Sequence, residues 1–217
     1  MVIFHLLYNI NIYRNITWYQ SNFINRFWQL SIAISFFIIS AITSTSLSSD
    51  KNIKRGIKTS LLGFIISLIT YLFARDQLII WGVLNGLGLS MIISGLIQKK
   101  YRINIKTFPI FILLFISTYR LERSDFESIP FFHYLYENNY FFLGFPSRNF
   151  FSTDYFPLIP WIFIYLAGLG LGNYLKSKNF FENKGKDNPL AYIGRHSMVI
   201  YLSHQIILYP IVSLILG

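Results

Sequence analysis

Histidine, arginine and amide side chains sit inside long apolar runs of this sequence, where such groups are expensive and seldom idle. The richest run is GRHSMVIYLSHQ, Gly194 to Gln205, which carries Arg195, His196, His204 and Gln205 into the last apolar segment. Tyr201, His204 and Gln205 are spaced three and four apart, so on a helix they share one face. Such a face lines a cavity or bonds to a neighbouring helix. His5 stands in the first apolar stretch, MVIFHLLYNINIY. Imidazole titrates near neutrality, so His5 suits general-base or proton-carrying work, or else stands as a neutral ring bonded to a neighbouring helix. Asn85 lies in the middle of LIIWGVLNGLGLSMIISGLI, an amide at membrane depth that needs partners. Asp154 belongs to STDYFPLIPW, where Pro157 and Pro160 fit a helix start and an N-cap carboxylate suits the helix dipole. Arg195 and His196 lie nearer the end of their segment, where Arg snorkels to the interface or meets an anion such as phosphate. The four His, at 5, 133, 196 and 204, lack metal-ligand spacing, so no metal is expected.

The elements that must position these groups are membrane helices. Hydrophobic residues make up 53% of the chain and charged residues 13%, and the charges are clumped between long uncharged runs. Crossing the hydrocarbon takes about 20 residues. Residues 27–47, 78–97, 157–175 and 197–216 meet that length, 59–74 meets it marginally, and 107–119 is short. Residues 1–13 are shorter still and read as the back half of a helix whose beginning is missing. They lack the basic region and cleavage site of a signal peptide. The expectation is an all-α, multi-pass membrane helix bundle with the first of its seven segments truncated, treated as one domain over residues 1–217. Gly82 and Gly86, and Gly168 and Gly172, have the spacing that lets helices approach closely, within one chain or in a homo-oligomer.

The net charge of +10 falls in short loops, which argues for topology rather than nucleic acid. The loops at 48–58, 98–106 and 176–189 are basic, while Arg75-Asp76 is neutral and 120–156 is not basic. The basic loops should be cytoplasmic, with the N-terminus inside and the C-terminus outside. The Phe- and Tyr-rich loop at 120–156 would then lie in the outer headgroup region. The chain has no Cys, which removes disulfide and thiol chemistry.

MVIFHLLY, WGVLNGLGLSMI, STDYFPLIPWIFIYLAGLGLG and NPLAYIGRHSMVIYLSHQ together resemble the heparan-α-glucosaminide N-acetyltransferase-like membrane family, related to transmembrane acyltransferases that modify envelope sugars. The resemblance implies transfer of an acetyl group from cytoplasmic acetyl-CoA to an amino sugar or polysaccharide on the outer face of the cell membrane. His5 matches the first-helix His thought to be catalytic in related bacterial enzymes. Their Arg, some three helical turns ahead of it, would fall before Met1. Relatives often carry His where this chain has Asn85, and Asn can donate a hydrogen bond but cannot take up a proton in this range. On this reading His5 is the general base or acyl carrier, and Asn85 and Tyr201 donate to the developing oxyanion. Asp154 orients the acceptor or the base, His204 lines the passage between the faces, and Arg195 with His196 meets the CoA phosphates. The competing expectation is a non-enzymatic channel or transporter for a polar solute, or a degenerate acyltransferase.

Overall fold

A computed structural model of the chain describes residues 1–121, 126–182 and 188–217. The charges at Glu122, Arg123, Asp125, Lys184, Lys186 and Asp187, which entered the loop-charge reading, lie outside the described residues. Among the described residues the chain is helical and forms no strand. The helices are α1 (Val2–Tyr13), α2 (Asn22–Ser44), α3 (Ser49–Phe73), α4 (Val83–Gln98), α5 (Phe108–Thr118), α6 (Pro130–Glu137), α7 (Leu158–Ser177), α8 (Pro189–Arg195) and α9 (Ser197–Leu216). Four of them, α2, α3, α7 and α9, are long and apolar enough to cross a membrane, and α1, α4 and α5 are shorter apolar helices. The seven apolar segments of the sequence are therefore all present as helices. Long exposed apolar rows fit lipid contact: Leu61, Phe64, Ile65, Leu68 and Leu72 on α3, and Val199, Ile206, Ile207, Leu214 and Ile215 on α9.

The chain forms two compact units, Met1–Ile34 with Glu182–Gly217, and Ser35–Phe181. In the first, α1 packs against α9. The link after α1 folds back on it: the Tyr19 hydroxyl donates to the Phe4 carbonyl at 3.4 Å, and Phe4 meets the rings of Tyr19 and Trp28. The Asn188 side chain caps α8 by accepting from the Ala191 N–H at 2.8 Å, with Pro189 opening the helix.

In the second unit α7 is the central helix, with Trp161, Ile164, Tyr165, Ala167 and Leu169 all buried. Gly168 and Gly172 lie against Ile38, Ala41 and Ile42 of α2 and Thr45 just after it, as their spacing suggests. The other glycine expectation needs correction. Gly82 precedes α4, and Gly86 faces the Phe156 carbonyl. The close α3–α4 approach is made instead by Gly56 and Gly63 of α3 against Gly88 and Asn85 of α4. Where the backbones come close, Ser44, Asn52, Ser94 and Tyr165 bond one another: Ser44 Oγ lies 2.6 Å from the Tyr165 hydroxyl and donates to Asn52 Oδ1 at 2.8 Å.

Helix α3 is longer than the sequence suggests. It runs through the basic stretch read as a linker, because Ser48 caps it, Asp50 suits its first turn, and its Lys stems tolerate a helical path. Helix α4 is shorter, with 16 residues instead of a full span. Trp81 has a left-handed φ of 61°, and residues 78–83 turn their polar groups to the segment before α7. Thr153 N–H donates to the Leu78 carbonyl at 2.9 Å, Phe156 N–H to the Trp81 carbonyl at 3.0 Å, and Ile80 N–H to Ser152 Oγ at 2.9 Å. Asp154 completes this clasp and does not cap the segment that follows it. Its Oδ2 accepts from Val83 N–H, the first N–H of α4, at 3.1 Å, while Pro157 occupies the N-cap of α7. Burial pushes the Asp154 carboxyl up to about 6, and the Val83 N–H pulls the other way.

Two predictions follow from this packing. Gly168→Val drives new atoms into Ala41 and Ile38 and should destabilise by ~1–3 kcal/mol. Gly194→Ala, with open space around it, should be neutral or slightly stabilising, both read as thermal midpoints in detergent. For Asp154, the raised folded value means the folded protein binds a proton more readily than the unfolded chain. Stability from this group therefore rises as pH falls through about 6 and is lost as pH rises through it. Asp154→Asn should abolish that dependence while keeping the acceptor for Val83, whereas Asp154→Ala should lose about 1 kcal/mol of capping at any pH.

Candidate active site

The first unit holds a polar seam between α1 and α9. His5 and Asn9 are four apart on α1, so they lie one turn apart on one face. His204 and Gln205 lie about two turns into α9. The Asn9 amide donates from Nδ2 to Gln205 Oε1 at 3.1 Å, and Gln205 donates from Nε2 to His5 Nδ1 at 3.1 Å. Asn9 is 1% exposed and His204 8% exposed, so the seam is closed to solvent at both. The rings of His5 and His204 lie side by side, with centroids 4.7 Å apart. Phe4 meets His5 edge-on, with ring centroids 5.6 Å apart.

The partners dictate which nitrogens carry protons. A side-chain amide nitrogen only donates, so His5 Nδ1 accepts and the neutral ring holds its proton on Nε2. His204 has the opposite form. Its Nδ1 lies 2.6 Å from the Tyr201 carbonyl, which only accepts, so Nδ1 carries the proton and Nε2 keeps a lone pair. That Nε2 is buried and has no hydrogen-bond partner among the described residues. A buried basic nitrogen with a fixed tautomer is the arrangement a proton acceptor needs.

Of the residues picked out by sequence, the structure brings together His5, His204, Gln205 and Tyr201. Tyr201 contributes its carbonyl, and its ring centroid is 5.9 Å from that of His204. Arg195 closes α8 and His196 joins α8 to α9, so both stand outside the apolar helix that the sequence placed them in, and both are exposed. His196 Nδ1 lies 2.9 Å from the Tyr192 carbonyl and its ring packs on Tyr192. Asn85 and Asp154 belong to the second unit. Asn85 is buried against Gly63, its Nδ2 reaches the Ser60 carbonyl at 3.5 Å, and its Oδ1 has no partner among the described residues. Its amide is thus directed at the backbone of α3.

Sequence reading missed Asn9 and the role of Gln205, although the four-residue step from His5 to Asn9 was a usable signal. It also passed over an open cleft of about 300 Å³ in the second unit, lined by Glu127, His133, Tyr136, Glu137, Ser147 and Arg148. There Arg148 Nε lies 3.0 Å from Glu127 Oε1, and His133 Nε2 lies 3.2 Å from Glu137 Oε1. No group of His, Asp and Glu that could hold a metal ion occurs among the described residues.

The second unit also separates its charge. Lys51, Lys54, Arg55 and Lys58 occupy the first turns of α3, and Lys99 and Lys100 follow α4. Lys99 Nζ meets Asp50 at 2.7 Å, and Lys176 near the end of α7 donates to the Thr45 carbonyl at 3.1 Å, so these cations share one end. The Asp154 clasp lies at the other end, where α4 and α7 begin.

A family model described as heparan-alpha-glucosaminide N-acetyltransferase, catalytic, matches residues 1–206. No curated protein and no solved structure matches the chain. The match takes in His5, Asn9, His204 and Gln205 together with the clasp around Asp154, and on that extent the chain belongs to the heparan-α-glucosaminide N-acetyltransferase catalytic-domain family of membrane acetyltransferases.

Proposed function

We propose that this protein takes the acetyl group of acetyl-CoA and passes it across the membrane to an amine or hydroxyl of an amino sugar or envelope polysaccharide. The family membership supports the reaction class, and the pairing of the His5 ring with that of buried His204 is the observation that carries the assignment of its chemistry. His5 acts as the general base, with transient acyl carriage as the other form of the same role. In the direct route the acceptor attacks the thioester carbonyl, His5 takes the acceptor's proton, and the tetrahedral intermediate expels the CoA thiolate. The same proton then goes to that thiolate, giving free CoA and leaving His5 as it began. His204, with its lone pair held beside His5, shares the proton load.

The remaining roles follow from position. Arg195 and His196 are exposed and offer N–H donors that suit the CoA phosphates, and the basic end of the second unit suits the cytoplasmic face. The membrane is then the cell membrane, with the N-terminus inside and the C-terminus outside. Asp154, at the opposite end of its unit, orients the acceptor. Asn85 and Tyr201 are the proposed donors to the oxyanion, although the present contact of Asn85 with α3 makes it the weaker of the two.

The test is transfer of labelled acetyl from acetyl-CoA to glucosamine or polysaccharide by the purified protein in liposomes. Wild-type protein should transfer, and His5→Ala should lose about 10²–10⁴-fold in rate. Unchanged transfer by His5→Ala removes His5 from the chemistry. Absence of any transfer or self-labelling in wild-type protein would favour a polar-solute passage or an inactive family member.

A further inference from the structure

The hydrogen bonds around His5 describe an imidazole whose useful nitrogen is occupied. A general base needs one bare nitrogen facing the acceptor and a proton on the other, backed by an acceptor group. Here Gln205 Nε2–H donates into Nδ1, so Nδ1 is bare but taken, and Nε2 holds the proton. What stands behind His5 is not a carboxylate but a chain of two amides, Asn9 to Gln205 to His5. A primary amide presents a donor on one side and an acceptor on the other, so turning it over exchanges the two at nearly the same shape.

We propose that Asn9 and Gln205 are positioning residues that set the tautomer of His5 by inverting together. In the inverted arrangement Gln205 Oε1 accepts from His5 Nδ1–H, and Asn9 Oδ1 accepts from Gln205 Nε2–H. Two hydrogen bonds join the three side chains before and after, so neither orientation leaves a buried amide group orphaned along the chain. Only the inverted orientation presents a bare Nε2. It is also the one compatible with the imidazolium that forms when His5 takes up the acceptor's proton, because imidazolium donates from both nitrogens. The exchange between orientations adds one proton at Nδ1 and releases one from Nε2, with water as source and sink during brief openings of the seam, so the proton count of the ring is unchanged. The unpartnered Nε2 of His204, on the ring next to His5, is a group able to hold the released proton until such an opening. Burial of Asn9 at 1% exposed shields the relay from water that would otherwise bond each amide independently.

This inference rests on the proposed role of His5, yet it can be tested apart from it. In full-length protein labelled with ¹⁵N at histidine, the two neutral tautomers give different one- and two-bond proton–nitrogen correlations. The wild-type resting signal of His5, identified by its loss in His5→Ala, should show the proton on Nε2. Gln205→Glu supplies a group that only accepts, and should move that proton to Nδ1. Asn9→Asp should do the same from one residue further away, because a carboxylate there forces Gln205 to turn its Nε2 toward Asn9 and its Oε1 toward His5. Gln205→Leu, which can do neither, should lower acetyl transfer by about 10–10⁴-fold, the range spanned by loss of a supporting partner and by a wrong tautomer. Gln205→Glu should restore it at least tenfold over Gln205→Leu. A His5 tautomer that is the same in wild-type, Asn9→Asp and Gln205→Glu proteins overturns the relay. So does transfer by Gln205→Leu at the wild-type rate. Tautomer inversion in a protein that transfers no acetyl group under any condition supports the relay and overturns the catalytic reading of His5 instead.

Discussion

A buried amide in hydrocarbon has no water to turn to, and that single constraint organises the first unit. Asn9 on α1 and Gln205 on α9 are 196 residues apart in sequence and satisfy one another at 3.1 Å. Gln205 spends its other side on His5, and His204 takes its partner from its own helix at Tyr201. The polar groups of two apolar helices thus close on themselves, and the closing brings the two imidazoles together. Site and packing are one object here: removing an amide would loosen the helices and also change which nitrogen of His5 carries the proton.

The second unit meets the same constraint differently. Its helices are brought close by glycines, Gly56 and Gly63 against α4 and Gly168 and Gly172 against α2. Close backbones let Ser44, Asn52, Ser94 and Tyr165 reach one another. Helix α4 is too short to cross alone. Its first N–H, at Val83, is met by Asp154, the Ile80 N–H just before it by Ser152, and the Leu78 and Trp81 carbonyls accept from the Thr153 and Phe156 N–H groups. A charged carboxylate would be costly in that position, which is why burial raises its pKa, while the N–H it accepts and the helix start behind it keep the carboxylate form accessible near neutrality.

The apolar helices were legible in the sequence because hydrophobic length is a property of consecutive residues. The shared face of Tyr201, His204 and Gln205 was legible for the same reason, since helical spacing is local. What escaped was non-local. Asp154 reads as a cap for the helix that follows it, yet it caps α4, which begins 71 residues earlier at Val83. Only the fold can show that Leu78 to Gly82 would be turned toward Ser152 and Phe156 rather than wound into α4. Helix α3 exceeded its apolar run because Lys and Arg in its first turns extend past the hydrophobic stretch without breaking the helix. Asn9 passed as one polar residue among apolar neighbours, because nothing within α1 reveals that Gln205 will stand opposite.

The seam between α1 and α9 can be measured directly because the chain has no native cysteine. In protein carrying Asn9→Cys and Gln205→Cys together, the only two thiols replace the two bonded amides. If the seam is as described, mild oxidation or a short thiol-bridging reagent will join peptides containing residues 9 and 205 within a single chain, detected by mass spectrometry, and acetyl-CoA will not be needed for the link to form. Folded double-cysteine protein that yields neither a disulfide nor a bridged peptide pair would contradict the convergence of the two helices, and with it the placement of His5 beside His204.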